Sequence, residues 1–115
     1  MKNIINYIFI FLFFISCSSK DDPTAAPPVE HIFPSNLTLN ITITGIDSDN
    51  PNGDGSGIIQ CSAVANDAIT YGYRFGSGAE IESSSGNYEY TYTNPGINTY
   101  TIYVYAYSST GDSVN

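Results

Sequence analysis

The chain has 115 residues, of which 11 are acidic and 3 basic, giving a net charge of −8. That balance excludes nucleic acid and an anionic membrane surface as partners, because both require clustered Lys and Arg. Two cysteines, Cys17 and Cys61, are too few for a disulfide framework, and the chain beyond the N-terminal leader is roughly 100 residues long, enough for one small domain.

The leader comes first in the chain. Lys2 supplies a positive start and Ile4 to Ile15 form an apolar run, too short and too close to the N-terminus for a membrane span. Residues 1–16 are therefore predicted to be a signal peptide. Its end, Phe14-Ile15-Ser16-Cys17, resembles a lipobox. The resemblance implies that Cys17 becomes the first mature residue and carries acyl chains such as palmitate, holding the protein to a membrane by lipid. Ser18-Ser19-Lys20-Asp21-Asp22 is similar to the export tag of Bacteroidota surface lipoproteins, which implies that Lys20, Asp21 and Asp22 direct the protein to the outer face of the outer membrane.

Residues 17–35 read as a Pro-rich tether, with Pro23, Pro27, Pro28 and Pro34 and no hydrophobic periodicity, the composition of an extended, semi-rigid spacer. The single histidine, His31, lies in it. Without fixed neighbours it is expected to have neither a catalytic nor a metal role.

Residues 36–115 change to a period of two, the pattern of half-buried strands. Leu37, Leu39, Ile41 and Ile43 alternate with Thr38, Asn40, Thr42 and Thr44 in a first strand, and Ile59, Cys61, Ala63 and Ala65 are the inward positions of a second. A third strand is expected over Ile69 to Phe75 and an edge segment over Ala79 to Glu82. Two further strands, Asn87 to Thr93 and Asn98 to Ser108, are joined by the turn signal Asn94-Pro95-Gly96. Helical periodicity is absent, and short strands with regularly spaced turns point to an all-β antiparallel sandwich of immunoglobulin-like type.

Residue type and placement mark out the candidate sites. The loop from Asp47 to Gly55 is rich in oxygen ligands, and Asp47, Asp49, Asn52 and Asp54 are candidate calcium ligands. Cys61 stands where such a loop needs a bidentate Glu, and Asn, Asp and Gly also build turns unaided. Tyr103, Tyr105 and Tyr107 alternate with the inward Ile102, Val104 and Ala106, so the three rings line an outward face. Such a row is either a platform for sugar rings or a packing surface for a neighbouring domain. Tyr71, Tyr73, Phe75, Tyr90, Tyr92 and Tyr100 are expected in the core. Glu80 and Glu82, on one strand face, are expected as a solvated edge. A glycosidase pair must face each other across a cleft, about 5 to 10 Å apart. Cys61 reads as a small buried hydrophobe, and no motif for a nucleophile or catalytic metal is present, so no catalytic residue is assigned.

Two segments carry a family resemblance. Tyr71-Gly72-Tyr73-Arg74-Phe75-Gly76-Ser77-Gly78 and Tyr90-Thr91-Tyr92-Thr93-Asn94-Pro95-Gly96-Ile97-Asn98-Thr99-Tyr100-Thr101-Ile102 resemble the hallmark strands of PKD domains. Tyr73 replaces the family's Trp, Ser77 its Asp and Tyr90 its His. The resemblance implies an extracellular, non-catalytic sandwich acting as spacer, partner surface or weak glycan contact. Leader, tether and domain together are similar to the region ahead of family 16 glycoside hydrolases acting on β-glucans. Only Ser113-Val114-Asn115 come after the turn at Thr110-Gly111-Asp112, so the sandwich is expected to lack its last strand, either as a fragment of a longer lipoprotein or with an edge open to a partner strand.

The expected function is a non-catalytic spacer or interaction module of a cell-surface lipoprotein in a polysaccharide-binding or polysaccharide-degrading system. Its expected partners are a membrane through Cys17, a neighbouring domain or surface protein, and polysaccharide. The alternatives are a glycan-binding module using the tyrosine row, or the N-terminal part of a secreted β-glucan hydrolase whose catalytic domain lies beyond Asn115. No cofactor is expected apart from the calcium candidate.

Overall fold

The structure is a computed structural model that describes residues 26–115. The signal peptide, Cys17 and the Lys20, Asp21 and Asp22 tag lie outside the described residues. These form seven strands, β1 Ser35–Ile43, β2 Ile58–Asn66, β3 Thr70–Phe75, β4 Ile81–Ser83, β5 Asn87–Thr91, β6 Ile102–Tyr107 and β7 Ser113–Val114, with no helix among them. All pairings are antiparallel. One sheet has the order β1-β2-β5 and the other β4-β3-β6-β7, and the two pack into a sandwich-like all-β module.

The core is built where period-two apolar positions of the two sheets meet. Ile59, Cys61 and Ala63 from β2 pack with Tyr71, Tyr73 and Phe75 from β3 and Ala106 from β6. Aromatic area does much of the filling, which suits a small domain with few large aliphatic side chains. Phe75 stacks on Tyr90 at 3.9 Å between ring centroids. Tyr73 is fully buried and stands where the resembled family has Trp. Burial makes its hydroxyl need a partner, and it donates to the Gly86 carbonyl at 2.6 Å. The same carbonyl accepts from the Ala63 N–H at 2.9 Å. Gly86 sits at φ +78°, and a Cβ there would run into the Ala63 carbonyl and press on the Tyr71 ring, so this turn admits only glycine.

β5 and β6 are shorter than their sequence patterns suggest. β5 stops at Thr91 and β6 starts at Ile102, and the turn between them is tied together by side chains. The Asn98 amide donates towards the carbonyls of Asn94, Pro95 and Gly96 at 3.1 to 3.4 Å, and Tyr92 stacks on Tyr100 at 3.6 Å. A seventh strand, not among the six expected, pairs Ser113 with Tyr107 and Val114 with Ala106. On β1 the alternation is right but its burial is uneven. Leu37 and Leu39 pack on the core, whereas Ile41 and Ile43 stay 42% and 36% exposed, because the inner face of β1 is covered only over its first half. Beyond them lies an open cavity of about 750 Å³, lined among others by Ile43, Ile59, Tyr92 and Tyr100.

The segment read as tether engages the module before β1 begins. The Ile32 N–H donates to Thr110 Oγ1 at 3.1 Å, and the Ile32 carbonyl lies 3.2 Å from the same hydroxyl. His31 Nδ1 is 3.0 Å from Asp112 Oδ2, and Pro34 is buried. His31 thus has a fixed neighbour, one that arrives from 81 positions away in the chain.

Candidate functional site: the outward face of the second sheet

The register between β3 and β6 sets Arg74 opposite Tyr103, Gly72 opposite Tyr105 and Thr70 opposite Tyr107. With Ala106 fully buried, alternation sends the three tyrosines outward as expected. Their environments differ. The Arg74 guanidinium lies over the Tyr103 ring, 4.4 Å from its centroid, a cation–π arrangement that occupies that face. Tyr105 and Tyr107 are half-buried and nearly parallel, with centroids 6.3 Å apart and planes inclined by 25°. Tyr105 and Tyr107 thus form a parallel pair, whereas Tyr103, 39% exposed, has one ring face taken by Arg74.

Glu80 finishes the arrangement. Gly72 leaves bare backbone in the middle of β3, and the Glu80 side chain crosses that space: a Cβ on Gly72 would strike the Glu80 carboxyl group. Its Oε1 accepts a hydrogen bond from the Tyr107 hydroxyl at 2.6 Å. That bond, with smaller contributions from desolvation and the negative charge itself, pushes the Tyr107 phenol up to about 12. Glu82, cross-strand from Gly72, accepts from the Thr70 hydroxyl at 3.1 Å. Beyond Tyr107 the face dips into a hollow of about 470 Å³ lined by Thr70, Glu80, Glu82, Tyr107, Ser108 and Gly111. Glu80 is thus part of the tyrosine face and not only a solvated edge residue. The signal in the sequence was the glycine inside a strand, which marks a place where another group approaches the backbone.

The other candidates lie apart from this face. Asp47 accepts from the N–H groups of Asp49 and Asn50 at 2.8 and 2.7 Å, and these bonds, led by that from Asn50, hold its carboxyl below the usual range. Asp54 accepts from the Ser56 N–H at 2.9 Å and is lowered by its Ser56 bonds. Both carboxylates serve turns. Of the candidates Asp47, Asp49, Asn52 and Asp54, the first and last hold turns, and among the described residues no three His, Cys, Asp or Glu side chains are grouped to hold a metal ion. Cys61 is buried, and desolvation pushes its thiol up, so it is poorly disposed to act as a nucleophile. At the end cavity the hydroxyls of Tyr92 and Tyr100 are buried without a protein partner, a feature invisible in the sequence, where both read simply as core.

The fold and this face define a class: a small all-β module of two antiparallel sheets with an aromatic and acidic outer surface. No protein-family model matches the chain, and neither a curated protein nor a solved structure does.

Proposed function

We propose that the module is an immunoglobulin-like sandwich of the PKD type, serving as a non-catalytic spacer and interaction unit of a lipid-anchored, outward-facing outer-membrane protein in a polysaccharide-binding or polysaccharide-degrading system. The observation that carries the reading is the strand arrangement: β1-β2-β5 and β4-β3-β6-β7 match the A-B-E and C′-C-F-G sheets of an immunoglobulin-like sandwich whose fourth strand joins the C-F-G sheet. The lipobox-like sequence ending at Cys17 supports the anchor, and the docking of His31 and Ile32 on Thr110 and Asp112 suits a spacer, because it ties the end of the tether next to the module onto it. The test is metabolic labelling with radioactive palmitate combined with protease treatment of intact cells. Label lost in Cys17→Ala, together with cleavage of the wild-type module from outside, is the expected result. Label retained in the variant would overturn the anchor, and a module uncut until the cells are lysed would overturn outward display.

The parallel Tyr105 and Tyr107 rings favour a second reading, a glycan-binding role for the same module, since sugar rings lay their C–H faces on such surfaces. Retardation of the full chain, in non-ionic detergent, by a gel containing laminarin tests it. Mobility equal to that in a plain gel, and in gels of other polysaccharides, would sink it.

A further inference from the structure

We infer that the sugar taken by this face is uncharged, and that Glu80 is a specificity-determining residue, accepting hydroxyl groups of a ring laid on Tyr105 and Tyr107. The inference rests on the glycan-binding reading and concerns which glycan.

The site is asymmetric. At one end Arg74 lies over one face of the Tyr103 ring, so that face is not offered to a ligand. Arg74 is the single Lys or Arg in residues 26–115, so no other guanidinium or ammonium group among the described residues is available on this surface. At the other end the ring pair leads into the hollow beside Tyr107, whose wall includes two carboxylates, Glu80 and Glu82, and the hydroxyl-bearing Thr70 and Ser108. Each carboxylate gives one oxygen to an internal donor, Glu80 Oε1 to Tyr107 and Glu82 Oε1 to Thr70. The second oxygen of Glu80 makes no hydrogen bond among the described residues. Glu80 is held in place by Tyr107 and by the bare backbone of Gly72 beneath it, so its free oxygen is an acceptor with little orientation left to lose on binding.

A pyranose offers what this geometry lacks: an apolar C–H face for the rings and hydroxyl donors for the carboxylates. A hollow of about 470 Å³ is within the usual range for small-molecule sites, about 300 to 1,000 Å³. A uronate or sulfated sugar laid on Tyr105 and Tyr107 at the hollow end would bring its anion against Glu80 and Glu82, with the face's one cation, Arg74, at the other end of the row over Tyr103, on a protein already at −8, and like charge brought together is disfavoured.

The experiment compares mobility of the full chain, in non-ionic detergent, through gels containing laminarin, hydroxyethylcellulose or galactomannan as uncharged polymers and alginate or carrageenan as anionic ones. The expected result is retardation by at least one uncharged polymer and by neither anionic one. Tyr105→Ala abolishes it, Tyr103→Ala leaves it unchanged, and Glu80→Gln weakens it about fivefold, the size of one net hydrogen bond. Thermal unfolding of each variant confirms that it is folded. Retardation by alginate or carrageenan would overturn the selection of uncharged sugars. Full retention in Glu80→Gln, with loss in Tyr105→Ala, would overturn the role of Glu80 while leaving glycan binding intact. No retardation in any gel would end the glycan reading itself.

Discussion

Replacing Gly72 with Ala is expected to dismantle the Glu80–Tyr107 contact at almost no cost in stability. A Cβ on Gly72 would lie 2.6 Å from the Glu80 carboxyl carbon and 3.0 Å from its Cγ, inside any tolerable separation, and the obstacle is the far end of a flexible side chain that can swing away. The displaced carboxylate gives up the hydrogen bond from Tyr107, a loss of about 1 kcal/mol for a partly exposed group. Against this, an alanine at an ordinary strand φ gains about 0.4 to 1 kcal/mol through the unfolded chain. The two nearly cancel, so Tm should move by no more than a few degrees. The phenol of Tyr107 should move far more. Its bond to Glu80 is the largest cause of a value near 12, and without it the group falls back towards the ordinary 10. Above pH 10 the wild type keeps its Tyr107 proton while the unfolded chain loses it, so the contribution to stability is complete below pH 10 and is lost as pH rises towards 12. NMR titration of tyrosine labelled at Cζ reads the phenol directly, with Glu80→Gln as the matching control. A Tyr107 that still titrates near 12 in Gly72→Ala would refute the claim that the bare glycine is what admits Glu80.

Further outcomes are expected. Tyr73→Phe removes the bond to the Gly86 carbonyl and should lower stability by about 1 kcal/mol, or Tm by about 4 to 8 °C in a domain this small. Tyr100→Phe removes a hydroxyl that has no protein partner and should cost less than Tyr73→Phe, which calorimetry of the two variants decides. Asp112→Asn should speed amide exchange at Ile32 without disturbing the β1–β2 ladder. In the wild type the same contact should fail in acid: the Asp112 carboxyl is held below its usual 3.8, first by Thr110 and then by His31, so its contribution stands above pH 3.8 and is lost as pH falls further. The Cys61 thiol, buried and pushed up by desolvation, should resist iodoacetamide in the native protein and react on unfolding, as peptide mapping will show.

What the sequence made legible was whatever depends on local period. The inward series Ile59, Cys61 and Ala63, the core positions of Tyr71, Tyr73 and Phe75, and the outward aim of Tyr103, Tyr105 and Tyr107 all come from alternation, and the structure has them so. Whatever depends on register between distant strands was not legible. Arg74 covers Tyr103 because β3 and β6 pair with those two residues side by side, and nothing near either residue encodes that offset. Ile41 and Ile43 carry the right pattern, yet alternation reports which way a side chain points and not whether a second sheet reaches it. Nor was the length of the turn between β5 and β6 legible: the Asn98 amide binds the carbonyls of Asn94, Pro95 and Gly96, a local bond that alternation does not report.

The contacts of His31 and Ile32 give the module a mechanical order. A pull on the chain from residue 26 meets the His31–Asp112 and Ile32–Thr110 bonds before it meets any strand, and these few polar contacts at the surface are far weaker than the continuous ladder joining Leu39–Ile43 to Ile59–Ala63. Under shear the N-terminal segment should peel away first, releasing a short length of slack while both sheets stay whole, and re-form when the load drops. Those contacts would act as a shock absorber in series with the fold, yielding early so that the sandwich does not.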